Sequence, residues 1–81
     1  MDTIAFRQWL SARGLSSRSV GDVCSRLKRV TEFLDISTVS SKVDLDVAFI
    51  RSPAVQSLTV SVRSQLKRAV RLWLEFREGQ R

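Results

Sequence analysis

Apolar residues recur every three or four positions along two long stretches of this 81-residue chain. Such spacing places them on one side of an α-helix, so each stretch predicts an amphipathic helix that buries a single stripe. The first stripe is Val20, Val23, Leu27, Val30, Thr31 and Leu34, and the second is Val62, Leu66, Ala69, Trp73 and Phe76. The alternation typical of a β-strand is not sustained in the sequence. The predicted fold class is therefore all-α.

Capping and helix-breaking residues predict the bounds of about four helices. The candidate caps are Asp2 or Thr3 for the first helix, Ser16, Ser17 or Ser19 for the second, Asp44 for the third, and Ser57 or Thr59 for the fourth. Among the serines, Ser19 has the capping-box spacing to Asp22. The expected ends are Gly14 after a helix over 2–13, about Asp35, Pro53 and about Glu78. A serine-rich loop over 36–43 separates the second helix from the third.

Length and missing residue types limit what the chain can do. At 81 residues it is expected to form one domain, 1–81. With no histidine, no tyrosine and isolated glycines, it offers no imidazole base, tyrosine nucleophile or phosphate loop. The single cysteine, Cys24, excludes an internal disulfide and fits a reduced, cytoplasmic setting with a buried thiol. We expect no enzyme activity, cofactor, metal site or small-molecule substrate, and neither a signal peptide nor a membrane span.

The charge of the chain points to a polyanionic partner. Fourteen basic residues oppose eight acidic ones, for a net charge of +6, which favours nucleic acid ahead of an anionic membrane surface. Basic residues lie opposite both apolar stripes, and the run from Ser25 to Arg29 is echoed by the run from Ser64 to Arg68. We predict that duplex DNA is contacted, largely through phosphates, by Arg18, Lys28, Arg29, Arg63, Lys67, Arg68 and Arg71. An ordinary solvated basic surface is the competing interpretation.

Hydroxyl residues precede both basic helices. They are Ser16, Ser17 and Ser19 before one, and Ser57, Thr59 and Ser61 before the other. Hydroxyls together with free N–H groups at a helix start suit phosphate binding. Simple helix capping explains the same residues.

The residues that carry a family resemblance are spread over most of the chain. They are Phe6, Trp9 and Leu10, then Gly14, Leu15 and Ser16, then Leu27, Phe33 and Leu34, and finally Leu58, Thr59, Leu66, Val70, Trp73, Leu74, Glu75 and Phe76. This layout resembles the N-terminal core-binding domain of tyrosine recombinases, the phage-integrase family. The resemblance implies a compact orthogonal bundle with a SAM-like arrangement, whose second and fourth helices face DNA in the recombination of phage or mobile-element DNA. That family's catalytic domain has no counterpart here, so recombinase activity is not implied.

Two other functions compete with DNA binding. A helical bundle can serve as a protein-interaction or oligomerisation module, docking a partner or a second copy of itself. So small a core is not expected to bury all of its apolar side chains. The candidates to remain exposed are Phe33, Phe49, Ile50 and Val55. A membrane-surface module is disfavoured, because the basic helices need their apolar stripes for the core.

Overall fold

All regular elements of the structure are helices, as a computed structural model of residues 3–79 shows. They are α1 (Thr3–Ala12), α2 (Ser17–Val30), a short 3-10 helix (Ile36–Thr38), α3 (Lys42–Arg51), α4 (Pro53–Gln56) and α5 (Val60–Gly79). The all-α prediction is confirmed, but the described residues form five α-helices instead of about four. The extra helix begins at Pro53, because the fixed φ of proline suits the first helical position as well as it limits the helix before it. Asp2, a predicted cap of α1, lies outside the described residues.

Gly14 ends α1 in the way its position predicts. Its φ is +92°, a left-handed conformation that side chains disfavour. The N–H of Leu15 donates to the carbonyl of Leu10 at 3.3 Å, and the N–H of Gly14 donates to the carbonyl of Ser11 at 3.0 Å. These two bonds form a Schellman motif, which satisfies carbonyls left free at the helix end. The chain is thereby turned back so that α2 packs beside α1.

The bounds of α2 differ from those predicted at both ends. Ser16 is its cap and accepts from the N–H of Ser19 at 3.2 Å, so Ser19 is the third helical residue and not the cap. The helix ends at Val30 and not near Asp35. After Val30 the N–H groups of Glu32 and Phe33 donate to carbonyls three residues back, and Leu34 donates to Val30. Asp35 instead caps the 3-10 helix inside the predicted loop. The apolar spacing continues through these turns, so periodicity alone extended the helix too far.

The cap of α3 is Ser41 and not the predicted Asp44. The hydroxyl of Ser41 accepts from the N–H of Asp44 at 3.1 Å, while the Asp44 carboxylate accepts from the hydroxyl of Ser40 at 2.7 Å. This bond with Ser40 lowers the pKa of Asp44. At the C-terminal end of α3, the buried Ser52 is both the C-cap of α3 and the N-cap of α4. The predicted cap Thr59 does start α5, accepting from the N–H of Val62 at 3.3 Å.

The core forms where α1, α2 and α5 meet, and α3 and α4 pack against the α5 side of it. Four aromatic side chains join α1 to α5: Phe6, Trp9, Trp73 and Phe76. The rings of Phe6 and Trp73 meet edge to face, with centroids 5.3 Å apart, which is a favoured aromatic geometry. Because α2 and α5 share the most extensive contact between helices, the two predicted basic helices are neighbours in the bundle.

Candidate nucleic-acid interface

α2 places three of the predicted DNA contacts on its exposed side, away from the buried stripe of Val20, Val23, Leu27 and Val30. Arg18, Lys28 and Arg29 form no ion pair with any residue from 3 to 79. Three helical turns separate Arg18 from Arg29, so both lie on one face, about 16 Å apart. Their charges are therefore open to a ligand.

The four predicted DNA contacts on α5 fall into a half-buried pair and an exposed pair. Arg63 and Lys67 are half-buried at the edge of α5 that faces α3 and α4. The Nη1 of Arg63 donates to Oε1 of Gln56 at 2.9 Å, and the Nζ of Lys67 forms an ion pair with Oδ1 of Asp46. Arg68 and Arg71 are instead exposed and form no ion pair with the described residues. Arg63, Lys67 and Arg71 follow one another at four-residue spacing, yet Arg71 is exposed whereas Arg63 and Lys67 contact neighbouring helices.

Asp46 is the acidic centre of this edge. The hydrogen bond from Lys67 lowers the pKa of Asp46; burial opposes it, and the charges of Lys67 and Arg71 add to the lowering. A carboxylate beside two cations stays ionised at neutral pH. Lys67 is therefore compensated within the fold, and Arg71 only in part.

Three other carboxylates, Asp35, Asp44 and Glu75, form local contacts. The Asp35 and Asp44 side chains accept from serines, and hydrogen bonds from Ser37 lower the pKa of Asp35. Glu75 pairs with Arg13 at 3.4 Å. Within residues 3–79, Arg13 and Lys67 are the two basic residues that form ion pairs. The net positive charge is consequently concentrated on cations with no ionic partner, several of them on α2 and α5.

Four of the hydroxyl residues that precede the basic helices form local hydrogen bonds. Ser16 caps α2, and its hydroxyl also donates to that of Ser19 at 3.1 Å. Ser57 donates to the carbonyl of Ala54 at 2.7 Å, and Thr59 caps α5. Local hydrogen bonds therefore account for Ser16, Ser57 and Thr59 without a ligand.

Arg7 is a basic residue that the sequence reasoning did not select. It lies on the exposed side of α1 and shares a groove with Lys28 of α2. Cys24, expected to be buried, is half-buried and lines this groove too. The sequence does not indicate that Arg7 lies near Lys28, because the groove forms only when α1 packs on α2.

Other kinds of site are not found in the part of the chain that the structure describes. No group of three or more His, Cys, Asp or Glu residues is placed to hold a metal ion. None of the described helices combines the length and the apolar character needed to cross a bilayer.

Comparison with known proteins assigns no family. No family model matches the chain, and no curated protein or solved structure is significantly similar to it. The fold and the charges define only a class: a small all-helical domain with cations exposed on two adjacent helices.

Proposed function

We propose that this chain is a DNA-binding domain that contacts duplex DNA through exposed basic residues of α2 and α5. The observation that carries the proposal is that exposed cations on two adjacent helices form no ion pair with residues 3–79. They are Arg18, Lys28, Arg29, Arg68 and Arg71. Free cations of this kind bind phosphates by releasing the counterions of DNA.

The resemblance to the core-binding domain of tyrosine recombinases supports the same proposal. It suggests a SAM-like arrangement of the helices and assigns the DNA-facing role to the elements that here are α2 and α5. Binding without catalysis is the corresponding activity, because the chain has no histidine or tyrosine. In this proposal Arg63 and Lys67 contribute mainly by holding α5 against α3 and α4, and only secondarily by contacting phosphate.

Titration with a labelled duplex at several salt concentrations tests the proposal. Five phosphate contacts would give a slope of about −4.5 in log K against log salt, and fewer contacts a shallower one. The variant Arg29→Gln/Arg68→Gln should weaken binding and flatten the slope. The matched control Lys42→Gln/Arg51→Gln removes two exposed charges from α3 and should change binding little. Absence of binding at low salt, or affinity indifferent to salt, contradicts the proposal.

An interaction module is the second candidate, and one observation on α3 favours it. Val43, Val47 and Ile50 follow one another at helical spacing and are 70%, 41% and 72% exposed. Leu45 and Phe49 fill the opposite, buried face of α3. A helix that is apolar on both sides is typical of an element that docks on a partner.

Light scattering on the DNA-free protein tests this second candidate. A stable dimer that Ile50→Asp dissociates would favour it. The control is Ile4→Asp, at an isoleucine on α1 that is equally exposed, at 73% against 72% for Ile50. A monomer at every concentration rules out self-association through α3.

A further inference from the structure

The groove between α1 and α2, here called the α1–α2 groove, is bordered by one cation from each helix. It has a volume of about 520 Å³ and is lined by Thr3, Phe6, Arg7, Cys24, Ser25, Leu27 and Lys28. Phe6 and Leu27 are buried, and Arg7 and Lys28 are exposed. Neither cation forms an ion pair with a residue from 3 to 79. The groove therefore combines an apolar base with two free positive charges and hydroxyl donors.

A second hollow continues along the same two helices from Arg7. It has a volume of about 380 Å³ and is lined by Arg7, Gln8, Ser11, Ser17 and Val20. Its polar groups are again a cation, hydroxyls and an amide, all of which can donate to a phosphate oxygen. Arg7 is shared by the two hollows. The stretch of α2 from Ser17 to Lys28 along them is about 16 Å long.

The absence of acidic lining residues distinguishes these two hollows from the other hollows described here. None of the residues that line the α1–α2 groove or its continuation is acidic. The hollow between α3 and α5 includes Asp46, and the one near the end of α5 includes Glu75 and Glu78. An anion entering beside Arg7 would meet donors and no lining carboxylate.

We propose that the α1–α2 groove binds the phosphodiester backbone of duplex DNA, with Arg7 and Lys28 contacting phosphates of one strand. This inference rests on the proposed DNA binding and extends it to α1, which supplies a contact outside the two basic helices. The stretch of about 16 Å is long enough to contact more than one phosphate of a strand, since these repeat every 3.4 Å along the duplex axis. The serine and threonine hydroxyls supply uncharged donors to the same backbone.

The single cysteine of the chain provides a direct test, because Cys24 lines the groove. The rate of Cys24 alkylation by N-ethylmaleimide is measured on the full chain, with and without duplex, while anisotropy reports the bound fraction. With duplex at 100 times its Kd, about 1% of the protein is free, so alkylation should slow by up to about 100-fold. High salt should restore the rate by releasing the DNA.

The outcomes separate this inference from the function on which it rests. Bound duplex with unchanged Cys24 alkylation overturns the groove assignment and leaves DNA binding intact. Absence of binding overturns both. Protection by inorganic phosphate, but not by the duplex, would show a small-anion site and also overturns the assignment.

A charge-matched pair of variants gives a second readout that does not depend on thiol reactivity. Arg7→Gln should weaken binding to the duplex and reduce the salt slope by about 0.9, the value for one lost phosphate contact. Arg51→Gln removes the same charge from an exposed position on α3 and should leave the slope unchanged. Because Arg7 is exposed and forms no ion pair with the described residues, the variant should fold normally. Equal effects of the two substitutions would overturn the assignment.

Discussion

Gly14 and Gly21 are two glycines for which the same substitution should have opposite effects. A methyl group at either position would meet no atom within 4 Å, so only the backbone distinguishes them. Gly14 has a φ of +92°, whereas Gly21 lies inside α2. We predict that Gly14→Ala destabilises the fold by about 1–2 kcal/mol, and that Gly21→Ala stabilises it by about 0.5–1 kcal/mol.

Urea unfolding of both variants checks this prediction. The two midpoints should move in opposite directions from that of the parent protein, with equal slopes. Shifts of the same sign would mean that the backbone conformation of Gly14 does not control its substitution cost.

Asp46 makes stability depend on pH in acid. Its folded pKa is lowered, first by the hydrogen bond from Lys67. The resulting stabilisation is complete above the unfolded aspartate pKa of about 3.9 and is lost as the pH falls through the lower folded value. Asp35 and Asp44, whose folded pKa values are also lowered, add to the same loss.

The thermal midpoint should therefore fall between about pH 5 and pH 2, and less steeply in Asp46→Asn than in the parent. Circular dichroism at several pH values measures both curves. Parallel curves for the two proteins would contradict a stabilising role for the Asp46–Lys67 pair.

At the scale of elements, Ser52 is the joint between α3 and α4. It is buried, and its hydroxyl accepts from the N–H of Val55 at 3.3 Å. Removing the hydroxyl leaves a buried N–H without a partner, so Ser52→Ala should cost about 1–2 kcal/mol. Ser41→Ala removes an exposed cap from α3 and should cost less, since water can replace the bond. Chemical unfolding ranks the two, and a larger loss for Ser41→Ala would contradict the argument.

The sequence predicted the existence of α1, α2, α3 and α5, but not that of the short α4. Regular apolar spacing located α1, α2 and α5, because each buries a continuous stripe. The end of α2 was missed because Phe33 and Leu34 still pack against the core after the helix has ended. The helix at Pro53 was missed because proline favours both the end of one helix and the start of the next, and local sequence does not separate the two.

At the scale of the whole molecule, unpaired positive charge is expected to oppose folding. The net charge is +6, and two ion pairs compensate cations within residues 3–79. Added salt screens repulsion between exposed charges. We predict that sodium chloride raises the thermal midpoint by about 2–5 °C, a change of under about 1 kcal/mol for a domain of this size. A midpoint that falls with salt would show that attractive pairs dominate.

Only part of the candidate interface could be predicted from the residue spacing within each helix. Periodicity correctly placed Arg29 and Arg68 opposite their apolar stripes. It did not separate Arg63 and Lys67 from Arg71, because the partners Gln56 and Asp46 come from other helices. Arg7 was missed for the same reason. The packing of the bundle determines which residues of other helices lie beside a given side chain. The spacing of residues within one helix does not predict this.

The aromatic cluster gives the molecule an optical reporter of its own. Trp9 and Trp73 both lie at the α1–α5 junction, and the Arg13 guanidinium sits 4.6 Å from the centre of the Trp9 ring. Trp9 follows Arg7 by two residues, which turns it to the other side of α1. Intrinsic emission should therefore follow the separation of α1 from α5, while a dye on the duplex follows binding. Unfolding and complex formation can then be read in one cuvette at two wavelengths.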